Sequence, residues 1–91
     1  MLKRDPIQRT ASGDWRVEGV TNLRTLARHV GTELPESHHS TLEGVVEEAL
    51  ERLPVVGDSF DWGPLQIAVI TPAEEGGSVY RVRLRADGGD A

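Results

Sequence analysis

The sequence predicts an α+β domain in which two helices pack on one face of an antiparallel sheet, in the chain order β-β-α-α-β-β-β. Three observations predict it. Apolar and polar side chains alternate with a two-residue period near both ends, in Trp15-Arg16-Val17-Glu18 and from Tyr80 to Arg85. Two stripes of helical spacing lie between them, beginning at Leu23 and Leu42. Short Gly- and Pro-marked turns separate neighbouring strands, and strands joined by short hairpins pair antiparallel.

Residues 1–6 read as the end of a linker, because Lys3-Arg4-Asp5 is a charged run and Pro6 holds its predecessor extended. Ile7-Gln8-Arg9-Thr10 and Trp15-Arg16-Val17-Glu18 flank Ala11-Ser12-Gly13-Asp14 and form a hairpin with a four-residue loop, with Trp15 and Val17 on its buried face. Thr21 is expected to cap the first helix, whose stripe is Leu23, Leu26, Ala27 and Val30, and Gly31 to end it in the left-handed conformation. Leu34-Pro35 then opens an irregular segment through His38-His39.

Ser40-Thr41-Leu42-Glu43 fits a capping box, with Ser40 as the cap and Glu43 reaching back. The second helix carries Leu42, Val45, Val46, Ala49, Leu50 and Leu53 as one stripe, and Pro54 stops it. Gly44 inside that helix costs about 1 kcal/mol relative to Ala, which implies a close neighbour, expected to be another backbone. Gly57-Asp58 turns the chain into the strand Ser59-Phe60-Asp61-Trp62, and Gly63-Pro64 ends it. Leu65 to Thr71 is nearly all apolar and reads as a central strand covered on both faces. Glu74-Glu75-Gly76-Gly77 makes a hairpin tip before the last strand, where Tyr80, Val82 and Leu84 alternate with a solvent-facing edge of Arg81, Arg83 and Arg85. One domain therefore spans 7–85, and the Gly/Asp-rich tail 86–91 is expected to be disordered.

Composition excludes several classes. The net charge of −5 repels a phosphate backbone, so nucleic acid is set aside as a partner. The absence of cysteine removes disulfides and thiolate chemistry and fits a reducing compartment. No apolar run approaches the roughly 20 residues that cross a bilayer, so the chain is expected to be soluble with no direct membrane insertion.

Few residues carry candidate chemistry. A nucleophile needs a positioned base, and His29, His38 and His39 stand in no nucleophile motif, so no catalytic residue is assigned and no enzyme is expected. His38-His39 with Glu36 suits a divalent ion by ligand type, although adjacent histidines in an extended segment point apart and chelate poorly. Glu43, Glu47, Glu48 and Glu51 share one helix, with Glu48 and Arg52 as a favourable pair and Glu47 and Glu51 a repulsive one. No metal site is assigned: the acidic residues read as a solvated helix face and the histidines as a solvated loop, and the ligand candidates to be set against that reading are His38, His39, Glu47 and Glu51. No glycine-rich phosphate loop occurs, so no cofactor is assigned from the residues. Trp15 and Trp62 read first as core anchors, and Trp62 joins Arg81, Arg83 and Arg85 as a candidate interaction residue. In so thin a domain, an apolar patch left on the open sheet face would pack on a neighbouring domain or on a second copy as a homodimer.

Asp14-Trp15-x-Val17-x-Gly19, Leu34-Pro35-Glu36, Thr41-Leu42-x-Gly44-x-Val46 and Leu53-Pro54-x-x-Gly57-Asp58 occur in this order over about Ile7 to Leu84. In that order and spacing the chain resembles the CorC/HlyC transporter-associated domain, the C-terminal module of hemolysin-C-like and magnesium/cobalt-efflux proteins. The resemblance implies a non-catalytic cytoplasmic accessory domain that modulates magnesium or cobalt transport, with the CBS-pair and membrane domains of the same protein as partners. It also implies a location at the cytoplasmic face of the cell membrane. The module's fold further resembles part of certain FAD-binding domains, which implies FAD or adenine-nucleotide binding as the alternative, by fold analogy alone. The chain departs from the family at Thr71 to Ser78, where Pro72-Ala73-Glu74-Glu75-Gly76-Gly77 replaces a shorter turn, and at Val20, where a basic residue is common.

Overall fold

Seven elements follow one another as β1 (Ile7–Arg9), β2 (Trp15–Glu18), α1 (Leu23–Val30), α2 (Leu42–Leu50), β3 (Ser59–Trp62), β4 (Leu65–Thr71) and β5 (Val79–Leu84) in the computed structural model, which describes residues 5–72 and 77–85. The linker end expected over 1–6, the tip expected at Glu74-Glu75-Gly76-Gly77 and the tail over 86–91 fall wholly or partly outside those residues. The strands form one antiparallel sheet in the order β1-β2-β5-β4-β3, so the last strand lies at its centre. The helices cover one face. Tyr80, Val82, Leu65, Ile67, Val69, Val17, Trp15 and Ile7 meet Leu26, Val30, Leu42 and Val46 there in one buried cluster.

Both helices begin one residue later than their sequence signals. Asn22, not Thr21, caps α1, its side chain accepting from Arg24 N at 2.8 Å. Thr41, not Ser40, caps α2, its hydroxyl accepting from Gly44 N at 3.3 Å, so the capping box with Glu43 does not form. The cause is a link between the two helix starts. Asn22 and Thr41 pair as an isolated antiparallel bridge, flanked by Leu23 N donating to Ser40 O at 3.0 Å and Leu42 N donating to Thr21 O at 3.1 Å. The carbonyls of both expected caps are thus bonded across the bridge, and each helix starts from the residue that follows.

The second helix also ends early. Glu51 takes the left-handed conformation at φ 58° and bonds back to Glu47 O, leaving Leu53 outside the stripe and 72% exposed. Pro54 disfavours helical geometry at Leu53, and Arg52 turns away to pair with Asp58 rather than with Glu48.

The strand β4 is covered on one face only. Leu65, Ile67 and Val69 are buried, whereas Gln66 and Ala68 are half-buried and Ile70 is exposed. Its apolar run is longer than its burial because Ala68 and Ile70 point to the open face. Nor is the arginine strand an edge: β5 pairs with β2 and β4 on its two sides, and its arginines project from the open face of the sheet. Leu84, expected inside, is 43% exposed at the end of the strand.

Candidate functional site

The segment between the helices is shaped by local bonds and by two glycines. Leu34 packs against the core, and Pro35 lies against Gly63, where a Cβ would come within 2.6 Å of the proline ring. Ser37 Oγ accepts from His39 N at 3.1 Å and bends the chain at the histidines. The His39 ring then lies across Gly44, taking the space of the missing side chain; the close neighbour of that glycine is this imidazole and not the backbone expected from sequence.

One turn further along the same helix row stands Glu48. His39 Nε2 is 3.1 Å from Glu48 Oε1 and His38 Nε2 is 3.8 Å from Glu48 Oε2. The two rings do not point apart as expected: their centroids are 4.5 Å from each other and their planes inclined at 35°. One donor atom from each of the three residues lies within 4.8 Å of the others. Glu47, Glu51 and Glu36 do not belong to this group. Glu43 and Glu47 form the neighbouring helix row, whose charges act on buried Tyr80, and Glu51 closes the helix. The histidine cluster stands between two surface grooves, one of about 590 Å³ bounded by Leu23, Ala27, Leu34 and Pro35, the other of about 270 Å³ bounded by Val45, Ala49 and half-buried Trp62.

A second feature is the loop after α2. The Arg52 guanidinium donates to both Asp58 oxygens at 2.8 Å, and Val55 N donates to Oδ2 at 2.9 Å. This fork, with the Val55 amide second, pulls the Asp58 carboxyl down to about 2. Asp58 N bonds back to Val55 O at 3.1 Å, and Val69 N donates to Asp58 O at 2.9 Å, fastening the loop to β4. Leu53, Val55 and Val56 are held outward, exposed by 72%, 54% and 64%. Sequence reasoning missed this feature by extending the helix stripe to Leu53. The signal was present in Pro54 between aliphatic residues and in an acid six positions beyond Arg52.

On the open sheet face the three arginines differ. Arg83 donates through Nε and Nη2 to the two Asp14 oxygens at 3.1 and 3.0 Å, and this bonding holds the Asp14 carboxyl below its usual range against the opposing effect of burial. Arg85 donates to Gly63 O at 3.0 Å and lies 3.8 Å from Asp61. Arg81 stands directly opposite Arg16 on β2. Trp15 is a core residue with Arg9 stacked 4.5 Å above its ring, while Trp62 packs only partly on the core. Among the described residues no hydroxyl is hydrogen-bonded to an imidazole ring, and no helix is long and apolar enough to cross a membrane.

The family model described as transporter associated domain, CorC/HlyC, matches residues 8–87. No curated protein matches the sequence. Among solved structures, a putative Mg2+ and Co2+ transporter (CorC)-associated region from Neisseria meningitidis MC58 is 26% identical, with a TM-score of 0.77 over 89% of this chain and 100% of that one. A CorC/HlyC transporter-associated domain of a Xylella fastidiosa Temecula1 hemolysin, in complex with Mg++ and Mn++, is 20% identical, with a TM-score of 0.75 over 89% and 99%. The transporter-associated domain of a CBS domain protein from Porphyromonas gingivalis is 23% identical, with a TM-score of 0.70 over 85% and 94%.

Proposed function

Because the chain belongs to the CorC/HlyC transporter-associated domain family, we propose that it is a non-catalytic accessory module that modulates magnesium or cobalt transport by a longer, CBS-containing membrane protein. In this reading residues 7–85 form the module, lie at the cytoplasmic face of the membrane and dock on the CBS pair of the same protein. The names of the Neisseria and Porphyromonas relatives support the context, since one refers to a Mg2+ and Co2+ transporter and the other to a CBS domain protein.

The observation that carries the reading is the loop Leu53 to Val56. Three aliphatic side chains face solvent on a loop that the Arg52–Asp58 fork and two β4 hydrogen bonds hold in one conformation. A surface ordered before binding loses little entropy when a partner covers it, which suits a docking element. Trp62, Arg81, Arg83 and Arg85 are interaction residues of the same module in this reading.

The test is cation efflux by the full-length protein across a range of external magnesium and cobalt. The variant Leu53→Asp/Val55→Asp/Val56→Asp is expected to keep the fold, since these side chains are exposed, and both it and deletion of 7–85 are expected to change the dependence of transport on cation concentration. Unchanged transport and unchanged regulation in both proteins would overturn the proposal.

A further inference from the structure

We propose that His38, His39 and Glu48 form a binding site for a late first-row divalent cation, zinc, cobalt or nickel, with solvent completing its coordination shell. The inference goes beyond the accessory role and stands on the cluster alone: the chain can hold such an ion whether or not it regulates transport.

Geometry is the first argument. Bonds of about 2.1 Å to nitrogen or oxygen in tetrahedral coordination place neighbouring ligand atoms about 3.4 Å apart. The separations from Glu48 to the two imidazoles, 3.1 and 3.8 Å, bracket that edge, and the group as a whole spans no more than 4.8 Å. Small side-chain rotations bring all three donors onto one ion. Glu48 presents a different oxygen to each ring, so either oxygen serves as its ligand.

The chain also builds this proximity at a cost. Gly44 forgoes the helix propensity that an alanine would supply. A Cβ there would lie 2.8 Å from Nδ1 and 3.0 Å from Cβ and Cγ of His39, so the ring reaches Glu48 only because position 44 carries no side chain. Ser37 Oγ fixes the His39 amide from the other side. Two neighbouring histidines that would splay in an extended strand are thereby turned onto one carboxylate.

Donor chemistry selects the ion. Two imidazoles and one carboxylate suit zinc, cobalt and nickel, whereas magnesium keeps oxygen ligands and much of its water. The side chains of His38 and Glu48 are 78% and 54% exposed, so an ion enters directly from solvent and retains at least one water.

Calorimetric titration of the untagged chain near neutral pH with ZnCl2, CoCl2, NiCl2 and MgCl2 tests the site, with the visible absorption of bound Co2+ as a second readout. The expected result is one zinc, cobalt or nickel ion per chain, with magnesium at least about a hundredfold weaker. His39→Ala and Glu48→Gln are each expected to weaken zinc at least about tenfold and to remove the Co2+ spectrum. Gly44→Ala, which removes no ligand, is expected to weaken binding by displacing His39. Melting curves without metal confirm that the variants fold. The proposal is overturned by no zinc, cobalt or nickel binding at millimolar ion, or by binding that His39→Ala and Glu48→Gln leave unchanged.

Discussion

His39 lies against Gly44 so closely that a Cβ on the glycine would stand 2.8 Å from the ring nitrogen Nδ1. Two effects then compete in Gly44→Ala. The helix gains about 1 kcal/mol of propensity, and the forced contact costs about 1–3 kcal/mol, because the near part of the His39 side chain, not a flexible end, is in the way. A net destabilisation of about 1 kcal/mol is expected by chemical denaturation. In a His39→Gly background the obstacle is gone, and the same substitution should stabilise. A double-mutant cycle with no coupling between the two positions would show that the contact carries no energy.

Asp14 and Arg83 join β2 to β5 through two hydrogen bonds on the open sheet face. Asp14→Ala leaves Arg83 without its carboxylate and is expected to cost about 1 kcal/mol, a value between an exposed ion pair and a buried charged hydrogen bond. The Asp14 carboxyl titrates below 3.8 in the folded chain. Its contribution is therefore present above pH 4 and lost as pH falls through the lowered folded value. Urea midpoints of the two proteins should converge on acidification.

Asp58 gives a sharper version of the same linkage. Its folded value is about 2 against the ordinary 3.8, with the Arg52 fork as the chief cause. A depressed carboxyl contributes stability above its unfolded value and loses it on descent, so the relevant window runs from about pH 4 to about pH 2. Asp58→Asn should melt at a lower temperature at neutral pH and show a shallower decline across that window. Equal acid sensitivity of the two proteins would contradict the assignment.

Tyr80 is 1% exposed, and its hydroxyl, like those of Thr21 and Ser78, is buried without a partner in hydrogen-bonding geometry. Burial pushes the phenol above its ordinary 10.0, neighbouring Ser78 opposes the rise, and the charges of Glu43 and Glu47 add to it. Tyr80→Phe removes a buried hydroxyl that has no partner in good geometry and keeps the ring, but it also takes from the buried Ser78 hydroxyl its polar neighbour, so the two effects oppose each other and the net change is expected to stay within about 1 kcal/mol. A raised folded value means that stability is intact below pH 10 and falls as pH rises beyond it. The phenylalanine variant should lack that part of the alkaline loss, as seen in melting temperatures between pH 8 and pH 11.

The residues that identify the family in sequence are explained by the fold. Trp15, Val17, Leu42 and Val46 are core; Asp14 anchors Arg83; Thr41 caps α2; Asp58 clamps the loop after it. Gly19 leaves room for Ser78 and Tyr80, where a side chain would collide with the serine hydroxyl. The cluster of His38, His39 and Glu48 was only half legible. His38 and His39 are conspicuous by type, but their partner is Glu48, chosen by the helix row that passes beneath them and not by proximity in sequence. Glu47 and Glu51 were equally acidic candidates on the same helix, and only the direction of each row separates them.

Apolar periodicity and Gly/Pro punctuation determined the number, type and order of the seven elements, because those signals act over a few residues and each segment carries its own. Tertiary structure decided what depends on contacts between distant segments. It placed β5 at the centre of the sheet, shifted both helix starts through the Asn22–Thr41 bridge, and ended α2 before Leu53. It also turned two loop histidines onto Glu48, because the missing side chain at Gly44 has meaning only once the loop lies across the helix.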